Sequence, residues 1–257
     1  MRLLTIIIAM LAWAWAAGQV VDTCGVVRQW DSRGKVVRLV VTGHFSVDDD
    51  GYTENFDGVE ALLNTLRRKG VKAAFFPTAI TLAQPRYEAS VRRIIDDGHY
   101  LSAHSYAHLL LCDTAGRTLV TRDSVVADLR LQEKQLERFG LTKEQYRWMI
   151  PPYETCNRET AGFYFDEGYS LLSPTDGIFT GQDWTRPGTK GYWSARRIID
   201  QLWEYESKHS LDGVILLIHA MDYPWRKPED RPYNYLGEII DTLRSKGYVF
   251  DDALVPW

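Results

Sequence analysis

The sequence predicts an α/β protein whose mostly parallel strands close into a barrel. Short β-branched runs alternate along the chain with apolar residues at helical spacing, and this alternation indicates a mostly parallel sheet. So many strand–helix units favour a barrel over an open sheet. His44, His104, Tyr153 and His219 lie at the ends of predicted strands, which is where functional residues cluster in such barrels.

Local patterns predict the individual elements. The run 35–42 is almost continuously β-branched, as expected for a strand that is buried on both faces. Apolar residues at helical spacing follow it, and Gly70 ends that helix. By the same patterns, strands are expected at 71–76, just before His104, and at 148–150, 169–173, 214–219 and 248–250, and helices at 87–97, 125–136, 198–203 and 236–243.

Residues 1–18 have the features of a secretory signal peptide. Arg2 precedes an apolar run up to Leu11, and small residues follow. The run is short for a membrane span. We therefore expect a secreted or periplasmic mature chain without stable membrane insertion. Residues 19–257 contain no internal repeat and no flexible linker, so a single domain is expected.

The amino-acid composition limits the kinds of molecule that the protein is expected to bind. The hydrophobic content of 45% is sufficient for an ordinary core, and the net charge of -4 argues against nucleic acid as a partner. The spacing of the three cysteines fits no cysteine-type metal site. A disulfide between Cys112 and Cys156 and two free buried thiols are both compatible with the sequence.

His104 and His108 are the first candidates for a metal site. On a helix or helical turn, residues four apart share one face, and neutral imidazole is a common ligand of zinc-like metals. In the alternative interpretation, one histidine caps a helix and the other packs beside Tyr106.

Three motifs then occur in order, each at a strand end. They are His104-Ser105-x-x-His108, Ile150-Pro151-Pro152-Tyr153 and Leu216-Leu217-Ile218-His219. In these motifs the chain resembles a divergent bacterial subgroup of the NodB-homology polysaccharide deacetylases, carbohydrate esterase family 4, over roughly residues 35–250. The resemblance implies a distorted (β/α)7 barrel, one divalent metal ion with zinc as the first choice, and hydrolysis of N- or O-acetyl groups on an acetylated polysaccharide.

The resemblance also implies roles for single residues. His104 and His108 would be metal ligands, and His219 would be the general acid that protonates the leaving group. The backbone N–H of Tyr153 would help to hold the oxyanion. Asp183 occupies the position of an acidic residue that orients the acid histidine.

The first family motif, Thr-Phe-Asp-Asp, is altered in this chain. Position at the strand end selects Thr42-Gly43-His44-Phe45, whereas residue type selects Asp48-Asp49-Asp50-Gly51. Because a hydrolytic metal site usually includes a carboxylate, we expect Asp50 as ligand and Asp49 as base, with His44 lining the site. In the alternative, the aspartates form a solvated turn and His44 is the base.

A second function remains open at this stage. The altered first motif, and Ile150 in place of a family arginine, are compatible with a catalytically weak or inactive barrel that binds glycan. Release of acetate from acetylated glycans would distinguish an enzyme from such a binding protein.

Overall fold

The computed structural model describes residues 19–30, 34–47 and 53–251. The signal peptide expected over 1–18 lies outside the described residues, as do Asp49 and Asp50. Their interpretations stay predictions from the sequence. Within the described ranges, no helix is both long enough and apolar enough to cross a membrane.

The strands are short except for two in the centre. They are β1 (Val20–Val21), β2 (Val27–Gln29), β3 (Val36–Gly43), β4 (Ser46–Val47), β5 (Thr53–Glu54), β6 (Ala74–Pro77), β7 (Tyr100–Leu101), β8 (Trp148–Met149), β9 (Ser170–Leu171), β10 (Val214–His219) and β11 (Val249–Phe250).

The main sheet has the order β1-β2-β10-β3-β6-β7, and β11 also pairs with β3. The strand β3 runs parallel to β10, β6 and β11, as the alternation of strands and helices predicts. Strands β8 and β9 form a separate parallel pair. A parallel bridge between Val27 and Leu172 connects this pair to β2, so the strands curl round towards a barrel.

Helices pack along the outside of this curl. They are α1 (Val59–Lys69), α2 (Ala79–Leu82), α3 (Glu88–Asp96), α4 (Arg122–Arg138), α5 (Arg158–Asp166), α6 (Ala195–His209) and α7 (Leu236–Ser245). Helix α1 ends as the sequence predicts, because Gly70 adopts a left-handed conformation at φ 58°.

Side chains of the central strands alternate between two apolar clusters. In β3, Leu39 and Val41 pack in the cluster that includes the helices. Val40 instead joins a smaller cluster formed by strand residues and residues next to strands, which fills the inside of the curl. Since successive strand residues point to opposite faces, this alternation decides which side chains reach the interior at the strand ends.

Candidate metal-dependent active site

Three histidines reach the same end of the curl because of this alternation. In β10, Ile215 and Leu217 belong to the interior cluster, so His219, two residues further on, has the same orientation. His44 lies four residues after Val40, again an even number, so it also reaches the interior, just past the end of β3. The register pairs the ends of β10 and β3, so these side chains open into one space.

His44, His104 and His108 form a compact cluster. One ligand nitrogen from each ring lies within 4.8 Å of those of the other two. The ring centroids of His44 and His108 are 3.9 Å apart, and those of His104 and His108 are 4.9 Å apart. Three imidazoles at this spacing are a set that one divalent metal ion can bind.

The protonation and hydrogen bonding of the ring nitrogens suit the binding of a cation. Nδ1 of His104 lies 2.8 Å from the carbonyl oxygen of Ile150; a carbonyl only accepts, so Nδ1 carries the proton and Nε2 keeps its lone pair. Nε2 of His104 and Nδ1 of His44 are buried without a hydrogen-bond partner. Burial, together with the neighbouring imidazoles, lowers the pKa of His44 well below its usual value and that of His108 to about 2. The lone pairs on these two nitrogens, of His104 and His44, accept no hydrogen bond, which fits a bound metal.

The loop that carries His108 is irregular. The prediction that this motif lies on a helix or helical turn is therefore wrong. Ser105 and His108 have φ angles of 65° and 55°, outside the helical region. The buried carboxylate of Asp128 accepts the N–H groups of Tyr106 and Ala107 at 2.7 and 2.9 Å. These contacts with helix α4, rather than a helical periodicity, bring the two histidines of the motif together.

The segment Pro152–Glu154 forms another wall of the site. Tyr153 and Glu154 both adopt positive φ angles, 57° and 52°. The backbone N–H of Tyr153 donates to Nε2 of His108 at 3.3 Å, and the phenol ring stacks on the same imidazole with centroids 4.1 Å apart. The carboxylate of Glu154 lies 3.5 Å from Nε2 of His104.

Sequence reasoning missed Glu154 as a functional residue. A signal was present, since Glu154 is an acidic residue directly after the Pro-Pro-Tyr motif at a predicted strand end. Its direction into the site depends on the two consecutive positive φ angles, which neither residue type predicts.

His219 is paired with Asp183. Its Nδ1 lies 2.5 Å from Oδ1 of Asp183, and both side chains are buried. Gly181 lets the backbone before Asp183 pass close to strand β10, because a Cβ at this position would lie 2.9 Å from Leu217 and 3.4 Å from the His219 ring. The structure thus contains the contact that the resemblance implied, while the roles of the two residues stay predictions.

One cavity of about 320 Å³ joins these groups. Trp184 and Tyr153, with 56% and 52% of their surface exposed, stand among its walls. The cavity is lined by His44, His108, Tyr153, Glu154, Trp184, His219 and Tyr223.

The structure places the sequence-predicted site residues as follows. His104, His108, Tyr153, Asp183 and His219 meet around or beside the cavity. His44 joins the histidine cluster itself, whereas the sequence interpretation had it lining the site or, in the alternative, acting as the base. The two loop aspartates remain outside the described residues.

The cysteines are free thiols in the structure. The sulfur of Cys24 lies 3.8 Å from the carbonyl oxygen of Cys156. Of the two alternatives left open for Cys112 and Cys156, the structure therefore has the free thiols.

Comparison with known proteins gave consistent results. The family model described as polysaccharide deacetylase matches residues 47–171. The chain is 27% identical over 205 residues to a chitin deacetylase of Colletotrichum lindemuthianum, covering 78% of this chain and 73% of that protein.

Solved structures share the fold. The chitin deacetylase of Colletotrichum lindemuthianum superposes with a TM-score of 0.63 at 18% identity, covering 90% of each chain. A family 4 carbohydrate esterase of Bacillus subtilis gives 0.63 at 19%, covering 89% of this chain and 82% of that one. A CE4-family pseudoenzyme from Bacillus anthracis gives 0.64 at 18%, covering 89% and 67%. The predicted distorted (β/α)7 barrel is confirmed.

Proposed function

Since the chain belongs to the polysaccharide deacetylase family, we propose that it hydrolyses N- or O-acetyl groups on a polysaccharide with one divalent metal ion. The observation that carries this proposal is the position of the histidine cluster beside the His219–Asp183 pair. His44 and His219 line the same cavity, with their ring centroids 6.5 Å apart. A metal site and a proton donor can therefore act on one bound group.

His44, His104 and His108 would hold the metal, and zinc is the first choice for imidazole ligands. When bound, the ion supplies a Lewis acid that polarises the acetyl carbonyl and lowers the pKa of water. Membership of the cluster supports His44 as a ligand rather than as the base. The roles of Asp49 as base and Asp50 as ligand rest on the sequence alone.

The chain's own groups would orient the substrate and move the proton. The N–H of Tyr153 donates to Nε2 of His108 in this structure. Once that nitrogen binds a metal ion, the N–H would be released to donate to an oxyanion beside the histidine cluster. Asp183 holds the proton of His219 on Nδ1 and stabilises the charged imidazolium, so Nε2 is the atom that delivers a proton to the leaving group. The exposed rings of Tyr153 and Trp184 offer flat apolar faces to a sugar.

Acetate release tests the proposal. The metal-free protein, the zinc-loaded protein and a zinc-loaded variant with His104 and His108 both replaced by alanine are incubated with N- and O-acetylated glycans. We expect acetate only from the zinc-loaded unmodified chain. If that protein binds glycan but releases no acetate from any substrate, the enzymatic proposal is wrong and the glycan-binding alternative takes its place.

A further inference from the structure

Glu154 is an acidic residue that the proposed mechanism does not use, although it lies in the site. Its backbone and that of Tyr153 are in the left-handed region, which costs about 1–3 kcal/mol for each non-glycine residue. The turn is held by the N–H of Glu154, which donates to the carbonyl of Pro151 at 2.9 Å. The hydroxyl of Ser173 also donates to the Glu154 carbonyl at 3.3 Å. Neighbouring groups therefore maintain a strained turn that sends a carboxylate into the cavity.

The contact between Glu154 and His104 has an unusual polarity. Because Nδ1 of His104 donates to the Ile150 carbonyl, Nε2 presents a lone pair towards Glu154. A carboxylate also presents lone pairs. Two acceptors that face each other at 3.5 Å repel unless a positive group lies between them or beside both, and Nε2 is buried without a hydrogen bond. A positive charge shared by the two groups, from a proton or from a bound cation, removes this repulsion.

We propose that Glu154 is a carboxylate ligand of the same metal ion that His104 binds, an inference that rests on the proposed metal site. Ligand atoms bound to zinc at about 2.0–2.2 Å in tetrahedral geometry lie roughly 3.3–3.5 Å apart. The separation of 3.5 Å between Nε2 of His104 and Oε1 of Glu154 matches this spacing. The ligand atoms within 4.8 Å of one another belong to the three histidines without Glu154, so the carboxylate would have to move closer to His44 and His108 when the ion binds. Zinc can expand to five ligands, which would leave a position for substrate.

Zinc affinity tests the assignment without relying on activity. The metal-free chain and its variants are titrated with zinc in competition with a chromophoric chelator. Glu154→Gln keeps the shape of the side chain without its charge, and Glu154→Ala removes the group. Loss of a direct ligand should raise the Kd for zinc by more than about 100-fold, beyond the 10–100-fold typical of residues that only orient ligands.

Two controls accompany this titration. Glu144→Gln removes one negative charge from an exposed position on the loop before β8 and should leave the Kd unchanged. Circular dichroism of each metal-free variant reports whether it folds, and the isosteric Gln variant covers the case in which Ala does not.

Cobalt(II) spectra provide a second measurement, since the visible bands of cobalt respond to its ligand set. The Glu154 variants should change these bands. A wild-type Kd, or a cobalt spectrum that is unchanged in both Glu154 variants, would overturn the assignment while leaving the histidine site intact. An unmodified chain that binds no zinc would instead refute both the assignment and the metal-dependent function.

Discussion

Replacing Asp128 should disconnect the histidine loop from helix α4. Its side chain is buried, and each of its two oxygens accepts one backbone N–H, from Tyr106 and from Ala107. His108 follows directly in the chain and needs an unusual φ of 55° to face the cluster. Asp128→Ala removes both acceptors, so the loop should relax towards ordinary backbone conformations.

The size of the effect follows from these two hydrogen bonds. Bonds to a charged group contribute about 1.5–3 kcal/mol each, which gives roughly 3–6 kcal/mol for the pair. Burial raises the pKa of Asp128, so part of this gain offsets the cost of burying the charge. We expect a net loss in free energy of unfolding of about 2–4 kcal/mol for Asp128→Ala. Asp128→Asn keeps one acceptor oxygen and should lose about half as much.

Urea unfolding measures the stability, and zinc titration reports the loop. Because His108 would lose its orientation, the Kd for zinc should rise by about 10–100-fold in Asp128→Ala, with a smaller rise in Asp128→Asn. Asp123→Asn, an exposed change in the first turn of the same helix, serves as the matched control and should do neither. If Asp128→Ala unfolds within about 0.5 kcal/mol of the unmodified chain and binds zinc equally well, the loop does not depend on this carboxylate.

The remaining predictions concern two other histidines. His219→Ala and Asp183→Asn should each lower kcat by about 10²–10⁴-fold with a modest change in KM, because the proton is needed only as the leaving group departs; a near-normal kcat would make the pair structural. Burial lowers the pKa of His99 to about 4, against about 6.5 in the unfolded chain. The unfolded state then binds more protons between these values, so the stability due to neutral His99 is complete above pH ~6.5 and is lost towards pH ~4. When the pH falls from about 7 to 4.5, the free energy of unfolding, measured with urea, should therefore drop by roughly 2–3 kcal/mol less in His99→Gln than in the unmodified chain. Equal drops in the two proteins would contradict this assignment.

Local pattern was enough to predict the framework. The strand β10 and the start of helix α7 lie where apolar runs and helical spacing put them, because burial of continuous apolar segments overrides other local preferences. The strand ends were equally predictable, and with them the presence of His104 and His219 at the site. The three family motifs, found in their expected order, led to the prediction of the barrel and of its chemistry.

Only the tertiary structure decided how the site is assembled. His44 joins the cluster because the alternation of β3 continues past Gly43, and the register with β10 brings it to the same opening as His219. Glu154 enters the site through a left-handed turn that no local propensity favours. Such side-chain directions depend on contacts between residues far apart in the chain, as Asp128 shows by holding a loop more than 20 residues away. A pattern of neighbouring residues carries no record of those contacts, because they form only when the elements pack.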